Sequence, residues 1–165
     1  TEEIYFKVVR GKTAALFSAA MEVGGVIAAA DETLVKALFN YGDGLGISFQ
    51  IVDDLLDYGG TSAIGKNVGD DFRECKITLP VIIAKRRGSD EDRAFWDRAM
   101  NIDLQVDADL AHAVHLIRAT GAAEATVQEA EAYAALAKGA LRPLPASPYR
   151  DALEELADFC VSRAY

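Results

Sequence analysis

The sequence predicts an all-α fold, and two observations carry that prediction. No stretch sustains the alternation of apolar and polar residues that a half-buried strand requires. Helix-start signals also recur along the chain: Thr1 ahead of Glu2 and Glu3, Asp31 ahead of an apolar run, and Ser147 followed by Pro148. With 165 residues, 51% of them hydrophobic and 26% charged, the chain can bury about two-thirds of its unfolded surface as one globular domain.

Taken in order, the first helix is expected over residues 2–29. Thr1 is its cap, and the small residues Ala14, Ala15, Ala19, Ala20, Gly24 and Gly25 let neighbours approach closely. Asp31 caps a second helix reaching residue 58. Gly42, Gly44 and Gly46 inside it each cost about 1 kcal/mol against Ala, so another segment must approach there or the helix bends. Residues 59–69, rich in Gly, Ser and Thr, read as a loop that carries Lys66. A third helix is expected over 70–87, bent or interrupted by Pro80. Further helices are expected over 90–100, 108–120, 124–141 and 148–163, the last with Ser147 as cap and Pro148 in its first turn. Residues 142–145 (Arg-Pro-Leu-Pro) read as a connector. No internal repeat or low-complexity segment is present.

Charge narrows the function. A formal charge of -9 argues against a nucleic-acid partner, which requires a basic stripe. An anionic small molecule is compatible only where bound cations and local lysines reverse the sign. Cys75 and Cys160 lack metal-ligand spacing and suit a reduced, cytoplasmic protein. Residues 13–30 come nearest to a membrane span, but Glu22 sits in the middle and a buried helix is the expectation, with no transmembrane segment.

The informative segment is Phe49-Gln50-Ile51-Val52-Asp53-Asp54-Leu55-Leu56-Asp57. On a helix, Asp53, Asp54 and Asp57 share one face, with Gln50 one turn earlier. Carboxylates crowded in this way repel unless they share a cation, and a hard, oxygen-loving ion such as magnesium fits. A solvated acidic face is the plain alternative, and the apolar flanks Ile51, Val52, Leu55 and Leu56 argue against it. Magnesium held by few carboxylates completes its shell with water and phosphate, and Lys66 and Lys76 downstream suit that phosphate.

Together with Lys12-Thr13-Ala14-Ala15-Leu16-Phe17 and the stretch from Gly65-Lys66 to Glu74-Cys75-Lys76-Ile77-Thr78-Leu79-Pro80, this segment resembles the C-terminal half of the trans-polyprenyl diphosphate synthases. The octaprenyl and decaprenyl synthases of bacteria look nearest, and the resemblance covers nearly the whole of residues 1–165. It implies an antiparallel helical bundle of the isoprenoid-synthase type, incomplete here, and a homodimer. It also implies magnesium on Asp53, Asp54 and Asp57, with Lys12, Lys66 and Lys76 on the diphosphate. Thr13 and Gln50 then lie beside the reacting carbons. The implied reaction joins an allylic diphosphate to isopentenyl diphosphate.

Two departures stand out. The family's first aspartate-rich motif and the Arg-containing stretch that holds isopentenyl diphosphate are absent, so the chain is expected to be a fragment of one about twice as long, inactive alone. The Asp70-Asp71-Phe72-Arg73-Glu74 segment does not replace that motif; Asp70 and Asp71 read as helix-start residues. Cys75 stands where the family commonly has Gly, which bears on the placement of Lys76. Other features take plain readings. Lys12 and Lys76 can be surface lysines, and Gln50 a satisfied core amide. His112 and His115 mark a partly exposed face, while Phe95, Trp96, Phe17, Met21 and Phe39 pack. A short-chain synthase and a non-catalytic helical subunit are the competing functional readings.

Overall fold

The computed structural model describes residues 1–59 and 69–164, and every regular element among them is helical. In chain order these are α1 (Glu2–Val9), a π-helical turn (Arg10–Ala14), α2 (Ala15–Ile27), α3 (Glu32–Leu56) and α4 (Asp70–Arg73). They are followed by α5 (Leu79–Arg87), α6 (Asp90–Ala99), α7 (Asp109–Ala119), α8 (Ala122–Ala140) and α9 (Pro148–Ser162). Lys66, with the loop around it over residues 60–68, lies outside the described residues.

The starts follow side-chain chemistry. The hydroxyl of Thr1 accepts from the Ile4 amide at 3.4 Å, Asp31 Oδ1 from the Leu34 amide at 3.0 Å, and Ser147 Oγ from the Arg150 amide at 3.2 Å. Ser89 and Asp92 form a reciprocal capping box at the start of α6, which the sequence reading passes over.

Two expected helices are divided. The first is interrupted by the π turn, and burial shows why: Tyr5, Val9, Ala14, Ser18 and Gly25 are buried. The step from Val9 to Ala14 is five residues, where an α-helix places its next inward residue after four. The third expected helix breaks between Arg73 and Leu79. Cys75 there adopts φ 54°, and its amide bonds the Phe72 carbonyl at 2.9 Å, while the Lys76 amide bonds the Asp71 carbonyl at 2.9 Å. This paired pattern is a Schellman stop, and Pro80 then falls in the first turn of α5, where its missing N–H costs nothing.

By packing, the chain divides into two compact units. One comprises residues 1–5 and 53–128 with Ala164; the other comprises 6–52 and 129–163. In the first, α5, α6 and α7 pack on one another around Phe72, Ile83, Trp96 and Ile117. Arg98 and the buried Asp109 form a two-point ion pair at 2.8 and 2.6 Å, and the Arg98 hydrogen bonds hold the Asp109 carboxyl below the usual aspartate range. In the second, α3 is central. A Cβ on Gly42 would lie 2.6 Å from the Phe17 carbonyl oxygen, and one on Gly46 2.6 Å from Ala14 Cα. The expected close approach is therefore made by α2 and the π turn, while α8 meets Gly44. The Tyr41 hydroxyl donates to the Leu153 carbonyl of α9 at 2.8 Å, and Ser48 Oγ to the Ala130 carbonyl of α8 at 2.9 Å.

No helix among the described residues is long and apolar enough to cross a membrane. The burial expected for residues 13–30 is nevertheless one-sided. Ala14, Ser18 and Gly25 are buried, but Leu16 is 74% and Ile27 81% exposed, with Ala15, Ala19, Ala20 and Gly24 exposed beside them. The small residues serve close packing on one face only.

Candidate functional site

The carboxylates at the end of α3 belong to the first unit. Asp53 is half-buried, while Asp54 and Asp57 are buried. The Tyr5 hydroxyl of α1 donates to Asp54 Oδ2 at 2.6 Å, a length typical of a charge-assisted O–H···O⁻ bond. Tyr5 carries no motif signal, and sequence reasoning misses it.

Asp57 sits in the turn directly beyond α3, which ends at Leu56. Its main-chain carbonyl accepts from the Gly69 amide at 2.8 Å. Its Oδ2 accepts from the amides of Asp71 at 3.1 Å and Phe72 at 3.4 Å, in the first turn of α4. Burial pushes the Asp57 carboxyl above the ordinary aspartate range, and the amide bonds pull it part of the way back. Asp57 therefore tethers α4 to the end of α3. Gly69, just before α4, has φ 89°, and a Cβ there would lie 2.5 Å from Leu110 Cδ2.

Among the described residues no group of three or more His, Cys, Asp or Glu side chains is gathered as a metal cage. Asp53 and Asp54 still offer the all-oxygen donors magnesium prefers, and that ion commonly takes one or two carboxylates plus phosphate and water. These two residues fit the ion, and Asp57 Oδ2 is engaged by the amides of α4. His112 and His115 are both exposed, in line with the plain reading of that face, while Trp96 is fully buried.

Lys76 folds back on its own turn. Its Nζ lies 2.7 Å from Asp71 Oδ1 and 2.7 Å from Glu74 Oε2, and these bonds raise the lysine above its usual range.

Lys12, Thr13 and Gln50 belong to the second unit. The π turn carries Lys12, exposed, and Thr13, whose hydroxyl donates to Gln50 Oε1 at 2.8 Å. Single π turns inside helices recur at functional sites, and Gly11 weakens the α-helix most there. The rings of Phe17 and Phe49 lie 5.5 Å apart, and the Arg163 guanidinium sits 4.6 Å over Phe49. Thus Thr13 and Gln50 meet as a pair, and aromatic surface adjoins Gln50 in sequence.

The described residues thus carry an aspartate pair in the last turn of a long helix and a Lys-Thr step on a π turn. A profile of the Polyprenyl synthetase family matches residues 1–117, and the chain belongs to that family. It is 40% identical over 164 residues to the octaprenyl diphosphate synthase of Escherichia coli (strain K12), covering 99% of this chain and 50% of that protein. A decaprenyl diphosphate synthase structure from Rhodobacter capsulatus matches with TM-score 0.92 and 56% identity, over 100% of this chain and 51% of that one. A polyprenyl synthase structure from Caulobacter crescentus CB15, complexed with calcium and isoprenyl diphosphate, matches with TM-score 0.95 and 47% identity over 100% and 51%. Relatives named geranylgeranyl synthases match as well. The chain spans about half the length of the curated relatives it matches.

Proposed function

We propose that residues 1–165 are the C-terminal half of one domain of a magnesium-dependent trans-prenyl diphosphate synthase, joining an allylic diphosphate to isopentenyl diphosphate. The observation that carries the reading is the Asp53–Asp54 pair at the end of α3 in a chain of this family. When bound, magnesium supplies positive charge to the diphosphate oxygens. Asp53 and Asp54 would hold it. Lys12, Lys66 and Lys76 contact the diphosphate, and their charge stabilises the negative charge that grows as the allylic carbon–oxygen bond ionises. Lys76 exchanges its bonds with Asp71 and Glu74 for those to the diphosphate. The oxygens of Thr13 and Gln50 steady the allylic cation. The double bond of isopentenyl diphosphate attacks that cation, a proton leaves, and a lengthened prenyl diphosphate forms beside inorganic diphosphate. Apolar helices and rings such as Phe17 and Phe49 keep water from the cation.

A long-chain product, such as the side chain of ubiquinone, is the reading favoured by the relatives named octaprenyl and decaprenyl synthases. The working protein is a cytoplasmic homodimer of the complete fold.

Calorimetry tests this with inorganic diphosphate as probe. Diphosphate binds the chain only when magnesium is present, and Asp53→Ala abolishes that binding. Binding indifferent to magnesium overturns the reading.

A further inference from the structure

We propose that Tyr5 is a positioning residue for the metal: its hydroxyl fixes the carboxylate of Asp54 so that the pair Asp53–Asp54 presents a preorganised donor set to a divalent cation. This rests on the metal reading of those aspartates given above. Tyr5 is 7% and Asp54 4% exposed, and the bond between them is 2.6 Å. A carboxylate turns about one bond, so a short contact to one oxygen from a ring locked in packing also sets the direction of the other. The donor comes from α1, 49 residues away in sequence, which ties the ligand to a second helix rather than to its own turn. Groups placed in this way around metal ligands change affinity by about 10–100-fold when removed.

The test uses the 165-residue chain with inorganic diphosphate and Mn²⁺, a hard oxygen-preferring ion visible by paramagnetic resonance. Tyr5→Phe is expected to weaken Mn²⁺ binding about tenfold and to alter the spectrum of the bound ion. Asp54→Asn should weaken it too, and Tyr5→Phe added to Asp54→Asn should bring no further loss. Tyr41→Phe is the structural control: it removes the buried hydroxyl bonded to the Leu153 carbonyl, lowers the urea midpoint and leaves Mn²⁺ affinity and spectrum unchanged. Should Tyr5→Phe fail to fold, 3,5-difluorotyrosine at position 5 keeps the ring and strengthens the donor, and the spectrum must then shift. If Tyr5→Phe or the fluorinated chain binds Mn²⁺ with unchanged affinity and spectrum while Asp53→Ala abolishes binding, the positioning role is overturned and the metal reading stands. If Asp53→Ala and Asp54→Asn also leave binding unchanged, both fall.

Discussion

Cys75 shows how one residue can carry a backbone cost. At φ 54° it occupies the left-handed position of a Schellman stop, where glycine is the usual occupant because a Cβ crowds the following carbonyl. A glycine at this position, from which Cys75 departs, would therefore have a conformational cause. Cys75→Gly is expected to raise stability by about 0.5–1 kcal/mol, the relief of left-handed strain less the extra freedom of glycine in the unfolded chain. A urea titration reads this as a higher midpoint at unchanged slope. An unchanged or lower midpoint would mean that the Sγ contacts with the Ala99 carbonyl and Gln105 outweigh the strain. Among the candidate residues, the sequence made the donor types legible, since Asp, Lys, Thr and Gln in that spacing name oxygen and ammonium chemistry. It left Tyr5 silent, because a tyrosine 49 positions from Asp54 has no local pattern to mark it.

At the scale of elements, α4 depends on its tether. Four residues make too few internal bonds to hold a helix in water, so Asp70–Arg73 relies on Asp57, Gly69 and the Schellman stop. Asp57→Ala removes an acceptor shared by the buried Phe72 amide and its neighbour and is expected to cost about 1–3 kcal/mol. Asp57→Asn keeps a carbonyl in place and should cost less, with magnesium-dependent diphosphate binding retained. Thermal unfolding and calorimetry of the two variants check this; loss of that binding in Asp57→Asn with stability intact would return Asp57 to the ligand set. Helix starts were legible because Thr1, Asp31 and Ser147 cap with their own side chains. The π turn and the break before Leu79 were not, since the extra residue and the reversed φ answer to packing and to hydrogen bonds between turns.

At the scale of the whole molecule, α2 exposes apolar surface along much of its length. Val23 and Val26 join Leu16 and Ile27 among its exposed side chains. Single exposed apolar residues are ordinary, but several on one helix bind hydrophobic dyes. The native chain is expected to enhance anilinonaphthalene sulfonate fluorescence before any unfolding. Replacing Leu16 and Ile27 with Lys should reduce that signal without lowering the thermal midpoint; an undiminished signal would place the dye elsewhere.

The sequence by itself determined the all-helical class, the positions of the caps and the chemical character of the aspartate, lysine and threonine groups. These depend on residue type and on spacing within a few turns, which local periodicity and side-chain hydrogen bonding govern. Only the tertiary structure decided that Asp57 bonds to α4, that Tyr5 bonds to Asp54 and that Lys76 is occupied by Asp71 and Glu74. The first two outcomes turn on which end of one element meets another, and the third on where the helix stops at Cys75. The deciding energies there are burial and the pairing of buried polar groups, which no short stretch of chain contains.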